Sequence, residues 1–321
     1  MKRHPLFIML GCLLAVLLIS LSLGQQTINL FNIDPLQLKI IVELRLPRIV
    51  VALLMGASLG VAGAILQGVF RNPLADPYVL GTSSGAALAA AFGLLATQGT
   101  GVWLVPVLAL TGALVTSAVV VSLGRDAWGV RAERLLLAGV GIGFFLSAIL
   151  MLVMSLAQAD GVKRALLWMA GDLAGVDWSV VPVASLLMLF GFVLALARRR
   201  GLNALALGDE VAFGLGLEPG RERTLLVLAA SLLTAASVAL GGIVGFVGLM
   251  VPHAVRALVG ADARRVLPLS ALGGGMLLCL ADTVGRSVLP PVEIPAGVVT
   301  ALIGAPWFLI MLRRTTNGGM R

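Results

Sequence analysis

The sequence of 321 residues contains few charged and few aromatic side chains. Charged residues make up 12% of it and aromatic residues 5%, whereas 59% is hydrophobic and the mean hydropathy is +1.05. Soluble domains contain about 25% charged residues, so this composition excludes an ordinary soluble protein and indicates an integral membrane protein. The alternation and the aromatic girdles of a membrane β-barrel are also missing from the sequence, which favours transmembrane helices.

Cysteine and histidine, the usual ligands of structural metals, each occur only twice. Cys12 and Cys279 lie inside hydrophobic runs, and His4 and His253 are far apart in the sequence, so we predict neither a disulfide nor a metal site. The phosphate-binding pattern G-x-x-x-x-G-K-[ST] does not occur, so any ATP would have to bind to another chain. We therefore expect no cofactor on this chain.

The formal net charge of +8 does not indicate nucleic-acid binding. The basic residues occur in short clusters between apolar runs, which is typical of membrane orientation signals. With the N-terminus placed in the cytoplasm, most of the 23 Lys and Arg residues fall on the cytoplasmic side. This asymmetry favours an even number of crossings with both termini cytoplasmic.

Ten hydrophobic runs predict helices, at about 20 residues per membrane span. They cover residues 6–23, 48–70, 79–97, 103–123, 135–157, 180–197, 224–243, 249–259, 267–285 and 296–312. The first run resembles a signal peptide, but it is long and further spans follow, so we expect it to be retained as a helix. The eighth run is too short to cross alone. It follows the glycine-rich stretch GGIVGFVGLMVP, which predicts a broken or re-entrant helix.

Two polar segments interrupt the apolar runs. In FRNPLADPYVLG (70–81), Pro73 and Pro77 each remove a backbone donor and should end the preceding helix, while Asn72 can satisfy backbone groups locally. The loop 198–223 interleaves apolar residues with acidic ones, and its Gly and Pro residues predict short helices. This loop is either an amphipathic connector at the membrane surface or a docking platform for a cytoplasmic partner.

Two patterns suggest chemistry inside the membrane. Asp282 is the acidic residue well inside a predicted span, with Arg286 one turn later, so it could bind a coupling ion or simply form an ion pair. Gly56, Ser58 and Gly60 satisfy G-x-S-x-G, the pattern of a serine hydrolase in which His253 would act as base. The pattern lies in a continuous apolar helix, however, where glycine and serine commonly serve close packing.

Seven motifs occur in one order along almost the whole chain. They are RLPR (45–48), GASLGVAGAILQGVFRNPLADPYVLG (56–81), RLLLAGVGIG (134–143), LWMAGDLAGVDW (167–178), LALGDEVAFGLGL (205–217), GFVGLMVPHAVRALVGAD (245–262) and EIPAGVVTALIGAPWFL (293–309). In these motifs the sequence resembles the FecCD family, the permease subunits of type II ABC importers for ferric siderophores, haem and cobalamin.

The resemblance implies an all-α membrane protein in which residues 1–321 form a single transmembrane permease domain. It implies a homodimer of ten-helix subunits in a bacterial inner membrane, with the translocation pathway between the two copies. Two ATPase subunits would dock on the cytoplasmic side, and a periplasmic binding protein would deliver the substrate. The chain itself would not be an enzyme. An ion-coupled transporter that uses Asp282 is the alternative function, and the serine hydrolase is a remote one.

The resemblance also assigns residues to roles. Arg45, Arg48 and Arg286 would grip acidic groups of the binding protein. The cytoplasmic gate would comprise Asn72 and Leu74, with a second pair at Arg131 and Ala132, where the sequence departs from the small hydroxyl residues of the cobalamin permease. Contact with the ATPase subunits would involve Leu205, Asp209, Glu210, Val211, Leu215 and Leu217.

Overall fold

The computed structural model describes residues 4–96, 102–126 and 129–318. Its elements in chain order are α1 (His4–Ser22), α2 (Pro35–Ile40), a π-helical turn (Ile41–Arg45), α3 (Leu46–Val69), a 3-10 turn (Pro77–Leu80), α4 (Thr82–Ala96), α5 (Leu104–Leu123), β1 (Arg125–Asp126), β2 (Gly129–Val130), α6 (Ala132–Ser155), α7 (Ala159–Met169), α8 (Val181–Ala197), α9 (Arg199–Leu207), α10 (Asp209–Gly214), α11 (Pro219–Gly241), α12 (Val247–Val259), α13 (Ala263–Ser287) and α14 (Ala296–Gly318). The predicted helical class is confirmed, with one small antiparallel hairpin, β1 and β2, in addition.

Each of the ten predicted hydrophobic runs coincides with a helix. In the described part of the chain, five helices are long and apolar enough to cross a membrane: α2 continued through α3, α5, α6, α11 and α13. The pair α8 and α9 adds a sixth if it is one span bent by 57°, and four shorter apolar helices lie in α1, α4, α12 and α14. The structure also contains α2, α7, α9 and α10, which hydropathy did not predict because they are short.

Helix α3 lies at the centre of the bundle and packs on α13 and α12 through its glycines. A methyl group added at Gly56 would lie 2.1 Å from the carbonyl oxygen of Gly274, and one at Gly63 would lie 1.8 Å from that of Gly248. Such backbone contact requires small residues on both helices. Ser58 is fully buried between these glycines, so the G-x-S-x-G pattern is a helix-packing surface and the hydrolase hypothesis is wrong.

The predicted break before the eighth run is present. Residues 242–246 are non-helical, and Phe246 has a positive φ of 67° just before α12 begins. The side chain of Tyr78 satisfies the backbone there: its hydroxyl donates to Val244 O (3.1 Å) and accepts from Val244 N (3.0 Å). Tyr78 therefore joins the segment after α3 to the break between α11 and α12.

Helix α6 has an apolar surface that the rest of the chain leaves uncovered. Leu137, Phe144 and Met151 follow one another at seven-residue intervals, which places them on one face of the helix, and each is about three-quarters exposed. Leu302 and Leu309 on α14 repeat this spacing and are also exposed. Since exposed apolar surface of this extent marks contact with lipid or protein, both faces are available to a partner or to the membrane.

Candidate functional site

The two ends of α3 carry the residues that the sequence assigned to a site. The Arg48 end comprises Arg45, Arg48, Asp282, Arg286 and Glu293, and the Asn72 end comprises the gate segment (residues 70–76) with the loop of α9 and α10. Helix α3 has 24 residues, so the two ends are about 36 Å apart at 1.5 Å per residue. The sequence had placed the three docking arginines and the gate on opposite sides, and in the structure they lie at opposite ends of α3.

Arg48 binds two carboxylates at once. Its Nε donates to both oxygens of Asp282, at 2.8 and 3.0 Å, and its Nη1 lies 2.6 Å from Glu293 Oε2. Arg286 approaches the other side of Asp282, with Nε 3.8 Å from Oδ2. Asp282 is only 2% exposed, and a buried carboxylate needs such pairing to remain charged. This pairing gives Asp282 a structural role and removes the basis for an ion-coupling site.

Arg45 and Arg286 also hold the chain that follows α1. Arg45 donates to the carbonyl oxygens of Leu21 and Gln26, and Arg286 donates to that of Ser20. Because the last four carbonyls of a helix have no partner within it, these arginines act as a cap for α1. Both are buried, so a partner protein would meet only the edges of their guanidinium groups.

A cavity of about 340 Å³ opens beside these arginines. It is lined by Arg45, Arg48, Arg286 and Glu293 together with Gln25 and Gln26. Gln25 Nε2 donates to Glu293 Oε1 at 2.9 Å and so holds this carboxylate over Arg48. Three guanidinium groups face two carboxylates at this end, and the excess positive charge can attract an acidic group from outside. No role for Glu293 was predicted from the sequence. Its position in a proline-rich turn, seven residues after Arg286, could have indicated that it lies near the arginines.

The gate segment is held in an irregular shape by its own side chains. Helix α3 ends at Val69, and Arg71 takes a positive φ of 51°. Asn72 Oδ1 accepts from Leu74 N at 2.9 Å, which confirms the predicted local satisfaction of the backbone. Asp76 Oδ1 accepts from Tyr78 N in the same way, and burial raises the pKa of Asp76 to about 6.

Asn72 and Leu74 line a wide, mostly apolar cavity of about 930 Å³. The opposite wall is formed by α12 and α14, where the rings of His253 and Trp307 meet edge to face at 5.7 Å. Arg131 and Ala132 are not among the residues that line this cavity. They follow the β1–β2 hairpin in the chain, at the start of α6. Arg131 Nε lies 2.6 Å from Asp126 Oδ2 in that hairpin. The structure thus brings the first predicted gate pair to a cavity and leaves the second pair outside it.

The loop of α9 and α10 presents an exposed apolar surface. Leu207 and Phe213 are 72% and 74% exposed, and Val211 and Leu215 lie beside them. The predicted division into short helices is confirmed, since Gly208 with φ 131° separates α9 from α10. Leu205 was expected on this surface, but it is only 1% exposed because it packs on the core. Asp209 is paired with Arg223 at 2.7 Å, Glu210 is exposed and Leu217 is partly buried.

The described residues contain no group of three or more His, Cys, Asp or Glu side chains that could hold a metal ion. The chemistry that the geometry offers is the pairing of buried charges and the binding of protein surfaces. Ser58 is not near a general base: its Oγ has no hydrogen-bond partner in the described part of the chain, and the ring of His253 contacts Trp307.

Comparison with known proteins identifies the family. Residues 12–314 match the FecCD transport family. The chain is 41% identical to the Fe(3+)-citrate import system permease protein YfmE of Bacillus subtilis, over 97% of this chain and 96% of the relative. It is 40% identical to the hemin transport system permease protein HmuU of Yersinia pestis, over 96% of each chain.

The fold is also similar to a solved structure described as an inward-facing conformation of a metal-chelate type ABC transporter. The two share 31% identity with a TM-score of 0.90, over 98% of this chain and all of the other. The chain therefore belongs to the FecCD transport family and is a multi-pass permease subunit of an ABC importer.

Proposed function

We propose that two copies of this chain form the translocation pathway for an iron(III) chelate, haem or cobalamin across a bacterial inner membrane. The observation that carries the proposal is the separation of two unlike docking surfaces by α3. An excess of buried positive charge lies at one end, and an exposed apolar loop lies at the other. An importer that couples a binding protein on one side to an ATPase on the other requires this arrangement.

The homodimer is supported by the uncovered faces of α6 and α14. Their exposed apolar residues recur every seven positions, as expected for helices that contact another helix or lipid along one face. The five long apolar helices, α8 and the four shorter apolar helices together are consistent with ten crossings per subunit. An even number of crossings leaves both termini on the same side of the membrane, and the distribution of basic residues favours the cytoplasm for that side.

The Arg48 end is the proposed docking surface for the substrate-binding protein. Arg45, Arg48 and Arg286 are already oriented by hydrogen bonds, so an incoming carboxylate meets donors that lose little conformational freedom on binding. Charge pairing of this kind speeds the encounter and is weakened by salt. The three guanidinium groups form part of the cavity wall. This position favours a partner whose acidic side chain inserts into the cavity over a partner that presents a flat surface.

The loop of α9 and α10 is the proposed docking surface for the ATPase subunits, one on each copy. Leu207, Val211, Phe213 and Leu215 supply the apolar contact, and Glu210 is the free acidic group beside them. Asp209 contributes indirectly, because its pairing with Arg223 fixes α10 against α11. Movement of this loop after ATP binding would reach the gate segment through α9, since Leu202 packs against Gly68 at the end of α3.

The gate in this proposal is the pair Asn72 and Leu74, placed where the 930 Å³ cavity meets its counterpart in the second copy. The cavity wall is mostly apolar and binds nothing tightly, which suits a large substrate that must leave quickly. The second pair, Arg131 and Ala132, would act at a different point along the pathway.

The substrate is set by the binding protein rather than by this chain. The relatives named for Fe(3+)-citrate and for hemin are equally similar to it, so overall identity does not discriminate between these cargoes. We favour an iron chelate, the commonest cargo of the family. This chain would bind no cofactor of its own.

The test is a cysteine cross-link at Leu74 in a chain whose native Cys12 and Cys279 are replaced by serine. We expect disulfide formation between two copies in at least one nucleotide state of the complex with its ATPase. Val288 is exposed at the opposite end of the molecule, so Val288→Cys is the matched control. Its cross-linking should not depend on the nucleotide state. The gate assignment fails if Leu74→Cys never cross-links. Uptake in proteoliposomes that follows an ion gradient without ATP would contradict the importer itself.

A further inference from the structure

A separate polar pocket lies at the Asn72 end, between the gate segment and α9. Its volume is about 250 Å³, enough for several water molecules. Five elements meet around it. Its polar lining residues are Gln67, Arg71, Asn203 and Arg256, and Pro73 of the gate segment also lines it. The described residues that line this pocket include two guanidinium groups and no carboxylate.

Arg256 at the end of α12 has only neutral partners. Its Nη1 donates to Gln67 Oε1, and its Nη2 donates to the carbonyl oxygen of Ala64 at 3.0 Å. Gln67 in turn donates to the carbonyl oxygens of Gly248 and Leu249, so its amide is held in place. The guanidinium group is thus fixed in orientation while its positive charge is balanced by no ion pair within the described part of the protein.

Arg71 is the second cation of the pocket. It stands at the positive-φ position of the gate segment, and its guanidinium group forms no hydrogen bond or ion pair with another described residue. Its guanidinium group extends toward the loop of α9 and α10, since a methyl group added at Gly208 would lie 3.6 Å from Arg71 Nη1. Arg71 therefore spans from the gate to the junction of these two helices.

The acidic residues near this pocket each have a partner, and one of them, Asp262, is bound to the pocket residue Asn203. Asp209 pairs with Arg223, and Glu222 pairs with Arg198. Asp262 accepts hydrogen bonds from Asn203 Nδ2 at 2.9 Å and from Arg264 N at 3.0 Å, and the bond from Asn203 lowers the pKa of Asp262. Arg71 and Arg256 line the pocket, and neither forms an ion pair with a carboxylate in the described part of the chain.

We infer that this pocket is an oxyanion site that takes a phosphate group, supplied either by inorganic phosphate or by the headgroup of an anionic lipid. Guanidinium groups bind phosphate oxygens in pairs of parallel hydrogen bonds. Two such groups from different elements, with the Asn203 amide beside them, offer donors from several directions to a tetrahedral anion. The site does not depend on the docking of any partner protein.

A bound phosphate would join parts of the chain that otherwise meet only at neutral contacts. Arg71 belongs to the gate segment, Asn203 to α9 and Arg256 to α12. An anion held by all three elements would tie the gate to the loop proposed to receive the ATPase. Release of the anion would free Arg71 and with it the gate segment.

The experiment measures binding of radiolabelled inorganic phosphate to the full-length permease in nanodiscs of phosphatidylcholine alone. A second arm adds phosphatidylglycerol and follows retained lipid by native mass spectrometry. Arg71→Gln should weaken the bound species at least tenfold, as loss of a charge-assisted contact predicts, and Arg71→Gln with Arg256→Gln should abolish binding. Arg221→Gln removes an exposed arginine at the same end and is the matched control, expected to bind as the parent does.

The outcomes separate the sources. Saturable phosphate binding at one per chain identifies the free anion, and retention of phosphatidylglycerol that needs Arg71 identifies the headgroup. Arg71→Lys should restore part of the affinity because the positive charge returns. If Arg256→Gln fails to fold, Arg71→Gln carries the test, since Arg71 supports no other described residue. The inference is overturned if neither species binds saturably, or if Arg71→Gln binds as tightly as the parent protein.

Discussion

The arginines at the two ends of α3 have opposite environments. At the Arg48 end, three buried guanidinium groups are held by Asp282, Glu293 and the carbonyl oxygens of the last turn of α1. At the Asn72 end, Arg71 and Arg256 face neutral groups and an open pocket. A cluster whose charged groups are linked by ion pairs and hydrogen bonds favours one arrangement, because each group that moves leaves another unpaired. The first end is therefore a rigid platform, and the second is able to change its contacts.

This difference agrees with the proposed roles. A docking surface for a binding protein benefits from donors that are oriented in advance. A gate must be displaced in every cycle, so strong internal ion pairs there would resist the motion. Substitutions at the rigid end should therefore cost the most stability, and those near the gate should change its mobility or its dependence on pH.

The largest effect is expected from Asp282→Asn. This change leaves Arg48 and Arg286 buried without their shared carboxylate, and breaking a buried ion pair costs about 3–5 kcal/mol. The melting temperature of the purified permease should fall strongly. Asp177→Asn, a change at an exposed aspartate, is the control and should have the same melting temperature as the parent. Equal melting of the Asp282 variant would show that the Arg48 end is not held by this pair.

A smaller effect is expected from Tyr78→Phe. The substitution leaves the backbone N–H and C=O of Val244 without their described side-chain partner, at a cost of about 1–3 kcal/mol. Because Tyr78 connects the gate segment to the break before α12, hydrogen exchange should accelerate in residues 242–246 and in the gate together. Thr111→Val removes an exposed hydroxyl that bonds only within its own helix, and it should leave both regions unchanged. Faster exchange in one region alone would contradict the connection.

The smallest effect is the pH dependence of the gate segment. The folded pKa of Asp76 is about 6, above its unfolded value of 3.8, so the folded chain holds the proton more tightly. The stability contributed by this group is fully present below about pH 4 and is lost as the pH rises through 6. Asp76→Asn keeps the oxygen that accepts from Tyr78 N and removes the charge.

Asp76→Asn should therefore melt like the parent near pH 4 and be more stable at pH 8, by about 3 kcal/mol at most. Asp34→Asn is a matched control, since Asp34 also caps a helix by accepting a backbone N–H but is exposed. Its substitution should leave hydrogen exchange in the gate segment unchanged. If the stability of Asp76→Asn depends on pH as that of the parent does, a group other than Asp76 causes the dependence.

Local patterns in the sequence were sufficient for much of the fold. Hydropathy located the ten apolar helices, because apolar length is read directly from consecutive residues. Gly and Pro located the break at 242–246, the division of α9 from α10 and the end of α3 before Pro73. The hydrogen bond of Asn72 was predictable because donor and acceptor are two residues apart.

Other features depend on residues that are far apart in the chain. Arg48 and Glu293 are 245 positions apart, and Tyr78 and Val244 are 166 apart. No periodicity encodes such pairs, so the sequence suggested exposed docking arginines where the structure shows buried ones. Leu205 was assigned to the ATPase surface because residues 205–217 resemble the family's coupling helices, but its own side chain packs on the core.

The sequence by itself determined that this is a helical membrane protein with apolar spans, an irregular polar segment after α3 and a short-helix loop, because hydropathy and backbone propensity act over neighbouring residues. The tertiary structure decided which charges are neutralised. It matches Arg48 with Asp282 and Glu293 at one end and leaves Arg71 and Arg256 without a described counterion at the other. Charge pairing depends on distance in space, and only the packing of α3 against α12 and α13 sets those distances.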